Sequence, residues 1–358
     1  MISWIVTFLL TLLLFWNIKK KSQVAHSAVK SLSIIIPARN EENNLPRLLH
    51  SINRQLTNKQ IEIIVVNDHS TDETKQRAIQ LGATVIDAPP LPENWLGKPW
   101  ACWNGATIAR GSHFLFIDAD TWFDDEGLDK LIRVSHADVL TVHPYHKMKT
   151  FYEKLSSIFH LIVYASTGST HLLSPFCSIQ GGFGQCMLIK KESYFKLDGH
   201  RLVKRDIVEH YSFVQHAAKS GLQIEAMSGE MMVSMRMYKG NLRAVINGWS
   251  KSFASGAKMT NKLLTIIVAL WITLLTSTIL EQMMNRNNIV MSLSLYAILC
   301  FILYRILKRI GNFTFFDVLL LPIHLLFFLF VFAYSVVTTT TKTANWKGRT
   351  IVIKEEKS

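Results

Sequence analysis

Apolar residues are gathered at the two ends of this 358-residue chain, and that distribution limits what the middle can be. Residues 2–16 (ISWIVTFLLTLLLFW) form an uncharged apolar run, and three more follow late: Leu263–Leu280, Ile289–Tyr304 and Val318–Val337. About 20 apolar residues cross a bilayer, so all four are read as spans. A cleaved signal peptide would need a small-x-small site after the first run. Lys19, Lys20 and Lys21 stand there instead, so the run is read as an uncleaved anchor. The expected layout is an anchor over 1–21, an α/β domain over 30–240, an interfacial segment over 241–262, spans within 263–337 and a basic tail over 338–358.

The formal net charge is +13, a balance that nucleic-acid binding could explain. Many of the cations flank the apolar runs, however: Lys19–Lys21, Lys258, Lys262, Arg305, Lys308 and Arg309. That is the positive-inside pattern with attraction to anionic lipid. It places residues 17–262 on the cytoplasmic side, with a membrane rather than a nucleic acid as partner. Four spans then put the tail outside, although Lys342–Ser358 carries five cations against two anions, so its side stays open. Cys102, Cys177, Cys186 and Cys300 show no disulfide or metal spacing; the first three are expected as free cytosolic thiols.

The middle reads as alternating strands and helices. Leu32–Ile36, Ile61–Val66, Thr84–Ile86, Phe114–Ile117 and Val139–Val142 have strand character. Between them, Asn43–Gln55, a helix after NDHSTDET, Lys98–Ala109 and Asp124–Ser135 read as helices. Ser70 and Glu73 have capping-box spacing, and Gly82 suits a helix end. Such alternation predicts a mostly parallel, doubly wound sheet. The ligand site of an open sheet lies beyond the carboxyl ends of its strands. Asn40 and Glu41, Asn67 and Asp68, and Asp118 and Asp120 fall there. The dinucleotide G-x-G-x-x-G and the P-loop are absent, so a hydride carrier is disfavoured. Two aspartates one residue apart at a strand end suit a divalent cation and a diphosphate.

PARNEE, VVNDHSTDET, the Gly97–Lys98 pair and FIDAD stand in the order and spacing of family 2 glycosyltransferases, and residues 32–250 resemble that family. The resemblance implies a GT-A fold, a UDP-glucose donor and Mg²⁺ or Mn²⁺. It implies that Pro37, Ala38, Asn40 and Glu41 contact uridine, that Asp68 reads uracil and that Lys98 contacts base or phosphate. Asp118 and Asp120 match the D-x-D, the second Asp being the usual metal ligand, and Arg236 with Gly240 matches a diphosphate-contacting motif. Asp72 is read as a helix-start charge, and His143 and His146 as wall or core residues.

The family usually carries Glu-Asp near residue 209, its Asp acting as base toward the acceptor. This chain has Glu209-His210, so Glu209 is the expected base, with Asp206 and His210 behind it. HPYH at 143–146, FYEKLSSIF, RMYKG, GWSK and WKGR point to a branch that modifies carotenoid acids. The implied acceptor is the carboxylate of a C30 carotenoid acid, with other enzymes of that pathway as partners. A lipid hydroxyl or prenyl phosphate is the alternative, as is a non-catalytic sugar-nucleotide-binding membrane protein. The QxxRW motif of processive synthases is missing, which implies one sugar per acceptor. Residues 155–173 are expected to form an interfacial helix, with a buried core helix as the alternative, and Leu242–Phe253 an amphipathic one.

Overall fold

A computed structural model describes residues 2–18, 29–56, 60–134, 137–177, 179–284, 289–340, 343–346 and 349–352. Lys19–Lys21 and Lys342 lie outside them. The chain divides into two compact units, one of residues 19–146 and 181–236, the other of 1–18, 147–180 and 237–358. Segment 147–180, expected within a continuous 30–240 domain, is therefore grouped with the terminal helices.

The first unit is built around β1 (Ser31–Ala38), whose Ile34, Ile35 and Ile36 are completely buried. A strand covered on both faces reads as such an unbroken apolar run. β1 pairs in parallel with β2 (Gln60–Asn67), which pairs in parallel with β3 (Thr84–Asp87). On its other side it pairs in parallel with β4 (His113–Ile117). After β4 come the short β5 (Thr121–Phe123), β6 (Val139–His143) and β7 (Tyr145–His146). β8 (Cys186–Lys190), β9 (Ile224–Ser228) and β10 (Val233–Met235) follow. The main sheet runs β3-β2-β1-β4-β8-β6-β9, and β5-β10-β7 make a smaller one. The expected mostly parallel sheet is present, with β8 inserted antiparallel to both β4 and β6.

Helix Leu45–Asn53 buries Leu45, Leu48, Leu49 and Ile52, the face that the periodicity gives. Helix Gly97–Ile108 crosses from β3 to β4 and lies close on the sheet at Gly105, where a Cβ would sit 2.5 Å from Ile35 Cγ2. Two expectations are corrected here. Ser70 and Glu73 form no capping box: the helix is Thr74–Gln80, and Asp72 Oδ1 accepts from Thr74 N at 3.0 Å. Asp72 is thus the helix-start charge it was read as, while Ser70 Oγ is taken by Asn40 N–H at 3.1 Å. The helix expected from Asp124 starts at Gly127, because β5 and a turn claim the residues before it.

In the second unit, Lys262–Glu281 and Ile289–Leu307 are long and apolar enough to cross a membrane; Ile2–Phe15 and 321–337 are shorter apolar helices. The run expected as one span from Val318 is broken. Helix Phe315–Leu319 ends at Leu320 and a new helix, Leu321–Thr340, follows with Pro322 in its first turn. Proline lacks the N–H that a helix interior needs, so it is tolerated there but not deeper. Trp271 Nε1 donates to Thr11 Oγ1 at 2.9 Å, and the Thr7 and Thr278 hydroxyls meet at 3.1 Å, joining the first helix to Lys262–Met284 through polar contacts. Within the 155–173 stretch, Ser157–Ser166 is a helix whose inward residues are buried, as the core-helix alternative expects. Phe159 stacks on Trp249 at 4.7 Å and Ser157 Oγ lies 2.6 Å from His324 Nδ1, so its inward residues have protein partners. The amphipathic helix is longer than expected, Leu242–Met259.

Gly105→Ala sets two effects against each other. Removing a helical glycine gains about 0.5–1 kcal/mol, whereas overpacking a filled interface costs about 1–3 kcal/mol. With Ile35 Cγ2 at 2.5 Å and Val66 Cγ2 at 3.0 Å from the new carbon, overpacking wins. Thermal unfolding of the full chain should show a lower midpoint for G105A; a raised one contradicts the close packing.

Candidate active site

The site is assembled by strand direction. Ala38 pairs with Asn67 and Asn67 with Asp87, so β1, β2 and β3 end level at one edge, where β4 also releases Asp118. Because β8 runs the opposite way, the segment entering it arrives at that same edge, and Asp118 N donates to Gln185 O at 3.0 Å. Gly181 and Gly182 let this segment lie against helix Glu209–Lys219; a Cβ on Gly181 would stand 2.1 Å from the Tyr211 ring. The first residue of that helix is Glu209.

Lys98, in the first turn of helix Gly97–Ile108, reaches into the convergence. Its Nζ lies 2.7 Å from Asp118 Oδ1 and 2.8 Å from Glu209 Oε1, and donates to Gly184 O at 3.2 Å. Burial works against the ammonium, but Asp118 and Glu209 outweigh it and its pKa is raised. Burial also opposes ionisation of Glu209, yet Lys98 holds its carboxyl below the usual range. Asp118 falls the other way: burial keeps its carboxyl above its ordinary value against the pull of Lys98.

His210 is buried, and both its ring nitrogens are engaged: Nδ1 with Gly184 O at 2.5 Å and Nε2 with His200 Nε2 at 3.1 Å. Tyr194 Oη in turn lies 2.8 Å from His200 Nδ1. Burial lowers the pKa of both imidazoles. Asp206 sits in a turn closed by its N–H on Val203 O and makes none of these contacts among the described residues.

The loops after β1 and β2 are stitched together. Asp68 N donates to Ala38 O at 2.8 Å, Arg39 Nη1 to Asp68 O at 2.7 Å, Thr71 N to Asn40 Oδ1 at 2.8 Å and Glu41 N to Thr74 Oγ1 at 2.7 Å. Pro37 lies inside β1, opposite Val66, rather than ending it, and Asp68 is buried. After β4, Thr121 N and Oγ1 both donate to Asp118 O, turning the D-x-D into β5. Thr121 pairs with Met235 of β10, so Asp120 and Arg236 are the next residues along that antiparallel ladder. The strand pairing thereby brings two sequence-distant candidates together. His143 and His146 are buried, the former pushed down to about 3 by burial, as core rings are.

Sequence reading missed Tyr194, His200 and Cys102, which gather beside Lys98 and His210. They come from helix Lys191–Lys196, a short 3₁₀ turn and helix Gly97–Ile108, at spacings that carry no motif. It also missed Arg47, whose guanidinium lies 3.1 Å over the Trp122 ring.

An open α/β sheet binds its ligand at the carboxyl edge of its strands, where this chain gathers Asp118, Glu209 and a half-buried Lys98. The chain belongs to glycosyl transferase family 2, whose description matches residues 33–197. The 4,4'-diaponeurosporenoate glycosyltransferase of Staphylococcus aureus (strain USA300) is 33 % identical over 342 residues, spanning 91 % of this chain and 90 % of that protein. Its counterpart in strain MRSA252 is 32 % identical over 338 residues, with the same coverage. Among solved structures, a mannosyltransferase from Pyrobaculum calidifontis in complex with GDP-Man and Mn²⁺ superposes with TM-score 0.53. At 15 % identity, over 83 % of this chain and 89 % of that one, it shows a shared fold.

Lys98→Met keeps the stem but leaves two carboxylates facing each other without their cation. A preorganised charge of this kind is worth on the order of 10²–10³ in rate, and sugar transfer by K98M should fall by that much. Activity within threefold of wild type would show that the cluster lies off the reaction path.

Proposed function

We propose that this enzyme moves one glucose from UDP-glucose, with inversion, to the carboxylate of a long apolar acid of the carotenoid type. The observation that carries the proposal is the pairing of an ionised Glu209, held by Lys98, with a His210 whose ring nitrogens are both occupied. No aspartate follows Glu209. A hydroxyl acceptor must lose a proton during attack and needs a positioned base, an effect worth about 10²–10⁴. A carboxylic acid ionises near pH 4, judging by side-chain values of about 3.9–4.3, so it reaches a neutral cytosol as the nucleophile already. The Staphylococcus aureus relatives are named for 4,4'-diaponeurosporenoate, whose ending is that of a carboxylate.

In this reading the carboxylate oxygen attacks the anomeric carbon from the face opposite UDP, one C–O bond forms as the glycosyl–phosphate bond breaks, and no acceptor proton moves. Asp120, with Asp118, suits Mg²⁺ or Mn²⁺: both are hard oxygen donors on the turn after β4, beside Arg236 in the ladder. Such an ion, when bound, neutralises the charge that develops on the departing diphosphate. Lys98 and Arg236 add fixed positive charge, while Asn40, Glu41 and Asp68, on the loops after β1 and β2, face the uridine. The catalytic unit lies on the cytoplasmic side of the membrane, and the terminal helices hold the enzyme where its apolar acceptor dissolves.

The Glu209 carboxylate also favours a second reading, transfer to a lipid hydroxyl with Glu209 as base. Glu209→Gln separates the two. With a carboxylate acceptor, E209Q should lower turnover only about tenfold, whereas an alcohol acceptor should cost about a hundredfold or more. An E209Q enzyme that binds UDP normally but is nearly dead overturns the carboxylate assignment. Chelation should abolish transfer and added Mn²⁺ restore it; transfer that survives chelation removes the metal from the scheme.

A further inference from the structure

We infer that His200 is a positioning residue: with Tyr194 it locks His210 in one neutral tautomer, and through it fixes the Gly184 carbonyl that holds Lys98. The chain of contacts runs Tyr194 Oη to His200 Nδ1 at 2.8 Å, His200 Nε2 to His210 Nε2 at 3.1 Å, and His210 Nδ1 to Gly184 O at 2.5 Å. Its direction follows from what each end can do. A carbonyl only accepts, so His210 carries its proton on Nδ1. At the other end, the Tyr194 hydroxyl already accepts the His200 backbone N–H at 3.1 Å, and it is completely buried.

Three arrangements would place something acceptable between the two facing Nε2 atoms. A proton on His200 Nε2 would donate to a neutral His210; a doubly protonated His210 would donate to His200; or a metal ion would take both lone pairs with the Cys102 thiolate, whose sulfur lies nearby. In the last two, His200 Nε2 gives up its lone pair, so its proton sits on Nδ1 and points at Tyr194. The Tyr194 proton is then left, among the described residues, with no acceptor in a buried place, a loss typically worth about 1–3 kcal/mol. In the second arrangement the Glu209 carboxylate, 3.7 Å from His210 Nδ1, offsets the Lys98 ammonium, so it is the stranded Tyr194 proton that counts against it. Only the first satisfies every donor and acceptor with both rings neutral: Tyr194 donates to His200 Nδ1, His200 Nε2–H to His210 Nε2, and His210 Nδ1–H to Gly184 O. The lowered imidazole pKa values agree.

The consequence reaches the reaction centre. A Cβ on Gly184 would meet nothing within 4 Å, while its neighbours are tied down by Thr141 at Phe183 and by Asp118 N–H at Gln185 O. The Gly184 carbonyl is held by His210, and it accepts from Lys98 Nζ at 3.2 Å. Through His210, His200 therefore acts on one of the three groups that hold the lysine, beside Asp118 and Glu209, without touching a substrate, and His210 has no lone pair to offer an acceptor.

The activity arm of the test rests on the glucosyl-transfer reading; the spectroscopic arm does not. In full-length protein labelled with ¹⁵N-histidine, two-bond ¹⁵N–¹H correlations should show His210 as the Nδ1–H and His200 as the Nε2–H tautomer, unchanged from pH 6 to 8. A doubly protonated His210, or about one zinc ion per chain lost on Cys102→Ser, overturns the inference. His200→Leu should lower kcat on the order of 10²-fold, the cost of misplacing a catalytic group by about 1 Å, with KM for UDP-glucose within threefold. His200→Gln, whose amide can still donate to His210 Nε2, should recover most of that loss. Should H200L not fold, Tyr194→Phe keeps the packing and removes only the proton that sets the relay. Y194F should mix the His200 tautomers and lower kcat; wild-type spectra and rates in Y194F overturn the proposal.

Discussion

A single lysine, held by groups from three separate stretches of chain, ties together the carboxyl edge of the main sheet. Lys98 comes from the crossover before β4, Asp118 from the end of β4, Gly184 from the approach to β8 and Glu209 from the start of the next long helix. The contact with Gly184 could not form if the sheet were wholly parallel. In a parallel sheet the segment leading into a strand arrives at the amino edge, on the far side from the ligands. Reversing β8 delivers Gly184 to the carboxyl edge, and the helix that follows its connection delivers Glu209. The inserted antiparallel strand is thus a requirement of the site as much as a feature of the fold.

The same logic explains what could be read from the sequence. β1, β2 and β4 were legible because strands buried on both faces leave continuous apolar runs, and helix Leu45–Asn53 because its apolar face repeats with the helical period. Asp118, Asp120, Lys98 and Glu209 were legible as motif residues, since each lies at an element end that its neighbours define. Tyr194, His200 and Cys102 were not, because a buried tyrosine, histidine and cysteine look like ordinary core residues until their polar atoms are seen to converge. Periodicity decided less in the second unit. The 155–173 stretch has the composition of a membrane-surface helix, but its stacking on Trp249 is a tertiary fact with no local signal. Val318–Val337 counts as one span by hydropathy, and only the restart at Leu321, with Pro322 in the first turn, shows two helices.

The smaller sheet contributes something that spacing cannot give. Asp120 and Arg236 are far apart in the chain, and the β5–β10 pairing makes them neighbours in register. The turn that creates this arrangement costs little, because Thr121 satisfies the Asp118 carbonyl twice.

The departure at residue 210 and the state of Glu209 account for each other. An aspartate at 210 would stand close to Glu209 and Asp118, giving three carboxylates against the one ammonium of Lys98. Crowded like charges raise one another's pKa, and in so buried a place one of them would hold a proton. A neutral histidine there removes a negative charge from the group. The Lys98 ammonium can then be shared by Glu209 and Asp118 alone, with Glu209 ionised below its usual range. What is given up is a second carboxylate able to take a proton from an acceptor. That loss matters for an alcohol and not for an acid that arrives ionised, so the charge balance of the buried cluster and the chemistry of the acceptor point the same way.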